Sequence, residues 1–455
     1  MDKLKYWRTP SNLTGNIFVY GRPGGGKSCK LLTVAQGLHN NGFKIFDLFG
    51  GKRDEGAFWS FKNDDHQIWK QIEHETFEFK NEAPKQYKVK LLYPMFKDSL
   101  PKKLPFHEPN VISQVFTIPF KDLEDDMEQL ISTVIGSLGT TSSRLWNKLL
   151  DNTDNHSNGA DIQHFFDKNS KLKNDKLYDS FLRKAIKGGL FSSKFGKNNI
   201  NLIEEARDQE TITVLCLDYV PGKFKFFVMG YILKKLFNLV KNNKIHKKNF
   251  ALFREASLFM KVVDSDKNAD ETTSIFRNII TDMARYCRSG LFLGMDTQDS
   301  SEVRGMIEGS DDLLLICEMP SQKSREITCE PLKKDGRMSE GQIAYIGWKI
   351  KIHEVCIVER GQKARILKRI NPPRCRYWKS EYGDFNSLWK KEVNLYKDLS
   401  YFIEEDNKDV EIRKQILSIK KPAIEKIEEP KPMIEEKENK VEVKKEYGIK
   451  KARFG

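Results

Sequence analysis

A glycine-rich segment near the start of the chain has the residue types of a phosphate-binding loop. Its residues are Gly21, Arg22, Pro23, Gly24, Gly25, Gly26, Lys27 and Ser28, followed by Cys29. Glycines let consecutive backbone N–H groups turn toward one anion. In this motif the lysine reaches the β- and γ-phosphates and the serine hydroxyl binds Mg²⁺. The pattern therefore predicts that residues 21–29 bind ATP, with Lys27 as a catalytic residue and Ser28 as a metal ligand.

Such a site also needs a carboxylate at the end of a neighbouring strand, to bind the metal or to activate water. Glu255 follows the apolar run 250–253, and Asp218 follows the run 212–217. We favour Glu255 as the catalytic residue that polarises the attacking water and as a second metal ligand. Asp218 is kept as a strand-end residue in reach of the metal shell. Either carboxylate has an alternative structural role, which is to cap the following helix.

Polar groups further along the chain suit the remaining steps of phosphate hydrolysis. Gln298 follows the apolar run 291–295, and its amide can hydrogen-bond both a γ-phosphate and the attacking water. Arg285 and Arg288 are three residues apart and share one face of a predicted helix. An arginine can stabilise charge on the transferring phosphoryl group from a neighbouring subunit, or it can simply be solvated at a helix end.

The elements that position these residues alternate in type. Short β-branched and aromatic runs predict strands at 17–20, 43–49, 88–93, 115–118, 212–218, 250–253, 291–295 and 313–317. Helical periodicity predicts helices at 28–39, 224–241 and 272–288. The glycine loop joins the first strand to the first helix, so the first two strands are predicted to form a parallel pair. Residues 343–350 and 353–359 are predicted as a terminal antiparallel pair.

This pattern predicts an α/β fold, a RecA-like P-loop NTPase with a mostly parallel sheet flanked by helices. We expect an N-terminal part of the ATPase core at 1–120, an α-helical insertion at 121–208 and a C-terminal part of the core at 209–397. Residues 398–455 are rich in Lys, Glu and Pro and nearly free of aromatics. Such a segment buries too little apolar area to fold alone, so it is predicted to be a disordered or partner-bound tail.

The charge, the cysteine count and the length of the apolar runs indicate where the protein acts and what it binds. The chain has 455 residues, a net charge of +14 and seven cysteines, none of them in a C-x-x-C pair. No apolar run reaches the roughly 18 residues that a membrane span needs, so a cytoplasmic protein without a membrane span is expected. The basic charge favours a polyanion partner, although it can also be a solvated surface. Within the predicted insertion the lysines that could contact DNA are Lys168, Lys171, Lys173 and Lys184.

The order of these motifs resembles the HerA/FtsK superfamily of P-loop DNA pumps, which includes conjugative coupling proteins and viral packaging motors. The resemblance covers residues 17–376 and rests on the glycine loop, Asp218, Arg254-Glu255-Ala256-Ser257, residues 284–290 and Asp296-Thr297-Gln298-Asp299. It implies that Glu255 is the catalytic glutamate, that Gln298 is a sensor and that Arg285 or Arg288 contacts a neighbour's nucleotide. It also implies a homo-oligomer, a hexameric ring, acting on double-stranded DNA, in a host cytoplasm if a virus or plasmid encodes the chain.

One residue departs from the pattern of that superfamily. Arg254 stands where its members usually have an acid next to the metal, and Ser257 replaces a common histidine. A cation would repel Mg²⁺ in a partly buried site. Either Arg254 points elsewhere, or hydrolysis is slow, or the site binds ATP without rapid turnover.

Two functional hypotheses follow. The first is an ATP-driven ring motor that moves or packages double-stranded DNA. The second is a nucleotide-switched assembly or morphogenesis factor with slow hydrolysis, which recruits a protein partner through its charged tail. Arg254 and the basic residues of 444–453 motivate the second hypothesis.

Overall fold

A ten-stranded sheet forms the centre of the part of the chain that the computed structural model describes. The described residues are 15–50, 58–60, 62, 84–101, 104, 110–123, 128–135, 139–150, 159–191, 200–254, 256, 278–283, 290–298, 311–352, 354–367 and 375. The strands are β1 (Asn16–Tyr20), β2 (Lys44–Gly50), β3 (Lys88–Pro94), β4 (Val111–Phe116), β5 (Thr211–Cys216), β6 (Asn249–Phe253), β7 (Leu291–Thr297), β8 (Asp311–Ile316), β9 (Val355–Glu359) and β10 (Arg365–Leu367).

The strand order is β10-β9-β8-β1-β7-β6-β2-β5-β3-β4. All pairings among β1 to β8 are parallel, and β9 pairs antiparallel with β8 and with β10. Every residue of β1, β6 and β7 is buried, as expected for parallel strands that are covered on both faces. The predicted mostly parallel α/β sheet is confirmed. Its parallel strands place the ends of β1, β7, β6 and β8 at one edge.

The predicted parallel pairing of the first two strands is wrong. β1 and β2 run in the same direction, but β7 and β6 lie between them. The crossover through the first helix fixes the direction of β2 but leaves open which strands enter the space beside β1. β7 and β6 are buried throughout, so they take these central positions although they come much later in the chain.

Helices cover the sheet. They are α1 (Lys27–Asn40), α2 (Glu128–Ile135), α3 (Thr140–Leu150), α4 (Gly159–Lys168), α5 (Arg183–Gly188), α6 (Leu202–Arg207), α7 (Phe224–Lys241), α8 (Gln322–Lys334) and α9 (Glu340–Trp348). Shorter helical turns span Phe58–Ser60, Phe120–Asp122, Ser170–Asn174 and Tyr178–Leu182. Residues 278–283 are helical, within the predicted helix 272–288. No helix in the described ranges is long and apolar enough to cross a membrane.

The predicted strand at 343–350 is wrong, because these residues belong largely to α9. The Ser339 side chain accepts a hydrogen bond from the Gln342 backbone, and the Gln342 side chain accepts one from the Ser339 backbone. This capping box satisfies two N–H groups at the helix start, and its Ser-x-x-Gln spacing is visible in the sequence. The antiparallel partners of β9 are instead β8 and β10.

The helices α2 to α6 lie between β4 and β5 in the chain, within the predicted insertion at 121–208. Aromatic side chains pack this region: between ring centroids, Phe181 of the turn Tyr178–Leu182 lies 4.8 Å from Phe227 of α7, and Phe120 lies 5.7 Å from Trp146 of α3. These four aromatic residues are buried in one core cluster. The domain boundaries stay a prediction, and the predicted tail at 398–455 lies outside the described residues.

Candidate nucleotide-binding site

The glycine loop leads from the end of β1 into the start of α1 with the backbone of an anion-binding turn. Gly24 and Gly26 have φ values of 73° and 74°, which side-chain-bearing residues rarely adopt. A Cβ on Gly21 would lie 2.6 Å from the Cβ of Cys317, so this position also requires glycine. Gly26 caps α1, and among the described residues no side chain caps this helix start. Its N–H groups and the positive end of the helix dipole suit an anion.

Lys27 lies over this loop. Its amino group donates a hydrogen bond of 3.0 Å to the carbonyl oxygen of Arg22. The contact keeps the ammonium group on the loop itself, within a side chain's reach of any anion that the loop amides bind. This placement suits the role predicted for Lys27 at the phosphates.

Neighbouring segments clamp the loop from two sides. The Arg22 guanidinium donates to Glu318 over 2.6 Å, and the Arg22 N–H donates to the Glu318 carbonyl over 2.8 Å. The buried Lys30 ammonium donates to the carbonyls of Gly25, over 3.1 Å, and Ile352, over 2.8 Å. The residues after β8 and before β9 therefore hold the loop in shape. None of these contacts was predicted, because the segments that hold the loop are far from it in sequence.

Ser28 contacts a carboxylate that the sequence reasoning did not assign. Its hydroxyl donates a hydrogen bond of 2.5 Å to Oδ2 of Asp296. Asp296 is fully buried in β7, which lies beside β1 with Val19 opposite Asp296. The predicted strand ended at residue 295, and only knowledge that β7 is the neighbour of β1 identifies Asp296 as the carboxylate next to the loop.

Gln298 comes directly after β7. Its side chain is exposed, and the preceding residue Thr297 pairs with Tyr20, the last residue of β1. Gln298 is thus at the same edge of the sheet as the glycine loop, on the neighbouring strand. Its sensor role stays a prediction.

Arg254, at the end of β6, points toward β2. Its guanidinium lies 3.2 Å from Oδ2 of Asp47, and both side chains are almost fully buried. The same oxygen accepts a hydrogen bond of 3.0 Å from the indole N–H of Trp59. Of the three alternatives left open for Arg254, the structure shows the first: its charge is engaged by a strand on the far side of β6 from β7 and β1.

The suggestion that Asp218 reaches the metal shell is wrong. Asp218 is exposed, two residues beyond the end of β5. Three strands, β7, β6 and β2, separate β5 from β1. Four strand spacings amount to about 19 Å, well beyond the reach of a carboxylate toward a metal at Ser28.

Three predicted site residues, Glu255, Arg285 and Arg288, lie outside the described residues, as does Ser257. Of the chain flanking Glu255, the Ala256 N–H donates a hydrogen bond of 2.8 Å to the carbonyl oxygen of Asp296. The roles assigned to the three residues stay predictions.

The groups at the loop fit Mg²⁺ held together with a nucleotide. They comprise one hydroxyl, one buried carboxylate, a lysine and a row of backbone N–H groups. Mg²⁺ in such sites takes few protein ligands and completes its shell with phosphate oxygens and water. The described part of the chain holds no cluster of three or more His, Cys, Asp or Glu side chains suited to a metal.

Comparisons with known proteins find similarity in solved structures only. No family model and no curated protein matches the chain. VirB4 of Thermoanaerobacter pseudethanolicus is 11% identical with a TM-score of 0.49, over 81% of this chain and 92% of that one. The bacterial conjugative coupling protein TrwB is 11% identical with a TM-score of 0.46, over 80% and 88%. The genome packaging NTPase B204 from Sulfolobus turreted icosahedral virus 2, bound to ATP-γS, is 10% identical with a TM-score of 0.30, over 79% and 98%.

These structures are of the kinds that the sequence resemblance named. One is a conjugative coupling protein and one is a genome packaging NTPase. The similarity between this chain and such proteins is one of structure, at sequence identities of 10–11%.

Proposed function

We propose that the chain is an ATPase that binds ATP and Mg²⁺ at the glycine loop and uses hydrolysis to move or package double-stranded DNA. The observation that carries the ATPase assignment is the contact between Ser28 and Asp296, which joins the glycine loop to the neighbouring strand. It puts a hydroxyl and a carboxylate beside the helix start that would hold the phosphates. Burying a carboxylate costs free energy unless the group is paired, so the contact supports a functional role for this serine and carboxylate.

In this proposal, different groups of the chain bind the phosphates and accept the proton of the attacking water. Backbone N–H groups of the loop and Lys27 bind the phosphates and balance their charge. Mg²⁺, which the Ser28 hydroxyl would hold, would supply further charge neutralisation at the phosphates. Gln298 hydrogen-bonds the γ-phosphate, and Glu255 accepts the proton of the attacking water.

A ring of subunits, with six as the expected number, would complete the site. Arg285 or Arg288 would come from the adjacent subunit and stabilise charge on the transferring phosphoryl group. The support for this part is the sequence resemblance. Ring formation would also make hydrolysis depend on assembly.

The support for DNA as the substrate is charge. The net charge is +14, and Lys168, Lys171 and Lys184 are exposed on the helical region between β4 and β5. Lys173, in the same region, instead pairs with Asp167 over 2.8 Å. Exposed lysines bind phosphates through charge and release counterions when they do.

The test is steady-state ATP hydrolysis with and without long duplex DNA, for wild type, Lys27→Ala and Glu255→Gln. We expect DNA to stimulate the wild type and both variants to lose turnover by at least about a hundredfold, as removal of one charge-stabilising or proton-accepting group commonly causes. Glu255→Gln should still bind ATP.

The control is Asp218→Asn, a carboxylate change at the same edge of the sheet but distant from the loop, which should keep wild-type turnover. Tight ATP binding with negligible turnover that DNA does not change would contradict the motor proposal. That result would favour the nucleotide-switched assembly factor and its recruiting tail.

A further inference from the structure

The carboxylate that contacts Ser28 comes from β7, whereas the sequence suggested one after β6. Arg254 directly follows β6 and pairs with Asp47, and Asp296, near the end of β7, contacts Ser28. We propose that Asp296 is the positioning residue of the Mg²⁺ site, through its hold on the Ser28 hydroxyl. This inference rests on the proposed function, because it presupposes ATP and Mg²⁺ at the loop.

The direction of the hydrogen bond defines what Asp296 does. Ser28 donates its proton to Oδ2 of Asp296 over 2.5 Å, so the lone pairs of its oxygen point away from the carboxylate and remain available to a metal. A carboxylate acceptor also raises the electron density on the oxygen that donates to it. The carboxylate therefore orients the hydroxyl as a ligand and contributes negative charge close to the cation.

The backbone on both sides fixes Asp296 in place. Val19 in β1 pairs with it, and its carbonyl oxygen accepts the Ala256 N–H from the chain that follows β6. Asp296 is fully buried, so water does not compete for its hydrogen bond with Ser28. A rigid strand position is what a residue needs if it is to hold a ligand in one orientation.

The charge of Arg254 is directed away from the glycine loop. Its guanidinium pairs with Asp47 in β2, which lies on the opposite side of β6 from β7. The position that could have supplied a carboxylate from β6 thus holds a cation directed to β2. Asp296 supplies the carboxylate at Ser28 from the adjacent strand instead.

The experiment measures ATP affinity of the full chain with Mg²⁺ and with EDTA, for wild type, Asp296→Asn and Asp218→Asn. We expect Mg²⁺ to tighten ATP binding to the wild type and Asp296→Asn to lose about tenfold of that gain, the loss expected for a hydrogen bond to a charged group. Binding in EDTA should change little. Asp218→Asn should retain the full gain.

A spectroscopic readout separates this role from a merely structural one. With Mn²⁺ in place of Mg²⁺, the electron paramagnetic resonance spectrum of the bound Mn²⁺–ATP complex should change in Asp296→Asn and stay as in wild type in Asp218→Asn. If Asp296→Asn does not fold, Asp296→Glu gives the same test, because it keeps the charge and moves the carboxylate by one methylene. Loss of the Mg²⁺ gain in that variant supports positioning.

A folded Asp296 variant with the full Mg²⁺ gain and an unchanged Mn²⁺ spectrum would overturn the inference and leave the proposed ATPase intact. A wild type that binds no ATP, or binds it equally well in EDTA, would instead overturn the proposed function itself.

Discussion

A buried lysine makes the stability of this fold depend on pH. Lys44, the first residue of β2, is fully buried, and its ammonium donates to the carbonyl oxygens of Asp208, over 2.9 Å, and Thr211, over 2.6 Å. Burial lowers the pKa of Lys44 from 10.5 to about 8. The hydrogen bonds join the start of β2 to the start of β5, so the group has a structural role despite the cost of burying its charge.

The sign of the pH dependence follows from proton binding. Between pH 8 and 10.5 the unfolded chain keeps its proton on Lys44 while the folded chain has lost it, so the free energy of unfolding rises with pH. The lowered pKa is a penalty of about 3 kcal/mol that is fully present below pH 8 and absent above pH 10.5.

We therefore predict that the wild type gains stability relative to Lys44→Met as the pH rises from about 8 to 10.5, the range in which the folded chain has lost this proton and the unfolded chain still holds it. Urea unfolding at several pH values measures this difference. The matched control is Lys88→Met, which removes an exposed lysine from the start of β3. Curves for wild type and Lys44→Met that stay parallel over this range would contradict the prediction.

Among the elements, helix α9 and the turn after it link the C-terminal strands to the glycine loop. The Ile346 carbonyl accepts a hydrogen bond from the Met319 N–H, and the Ile352 carbonyl accepts one from Lys30. The start of α9 therefore has consequences beyond the helix, because it sets where this segment meets the loop.

We predict that Ser339→Ala destabilises α9 by about 1 kcal/mol, the usual cost of removing an N-cap side chain. The measurement is amide hydrogen exchange at residues 342–346, which should become about fivefold faster if exchange proceeds through local opening of the helix. Ser339→Asp retains a capping oxygen and should exchange like the wild type. Equal protection in all three proteins would mean that packing alone defines the helix start.

The elements differ in how far the sequence predicts them. The apolar run of β6 and the helical period of α7 identify these elements within a residue, because each depends on a local pattern. Strand order depends on contacts between distant segments, and so the insertion of β7 between β1 and β6 escaped prediction. The apolar residues in 343–350 predict a strand, and the prediction leaves out the Ser-x-x-Gln capping signal at Ser339, which marks the start of α9.

The candidate site also has a part that the sequence predicts and a part that it does not. The loop itself is a contiguous motif with required glycines, so the sequence predicts its residues and their chemistry. Asp296 and Glu318 reach the loop only because β7 and β8 flank β1. The partner of Arg254 was likewise invisible, because Asp47 is more than two hundred residues away in the chain.

At the scale of the whole molecule, the proposed function depends on the positive net charge of the chain and on the assembly of chains into a ring. Each chain has a mass of 52.9 kDa and a net charge of +14. A ring of such chains would concentrate positive charge around any polyanion that it encloses, and its affinity would fall steeply with salt. If the exposed lysines between β4 and β5 face the DNA, they contribute more to this dependence than lysines elsewhere.

We predict that replacing Lys168, Lys171 and Lys184 by Gln lowers the slope of log affinity for duplex DNA against log salt by up to about 3, close to one unit for each phosphate that is no longer neutralised. DNA binding measured at a series of salt concentrations, with ATP-γS and Mg²⁺ present, gives this slope.

The matched control replaces three other exposed lysines, Lys241, Lys244 and Lys247, near the start of β6. These lie at the opposite end of that strand from the glycine-loop edge, so their removal should leave most of the slope. An equal fall for both triple variants would mean that net charge alone attracts DNA, and would contradict a DNA-binding surface between β4 and β5.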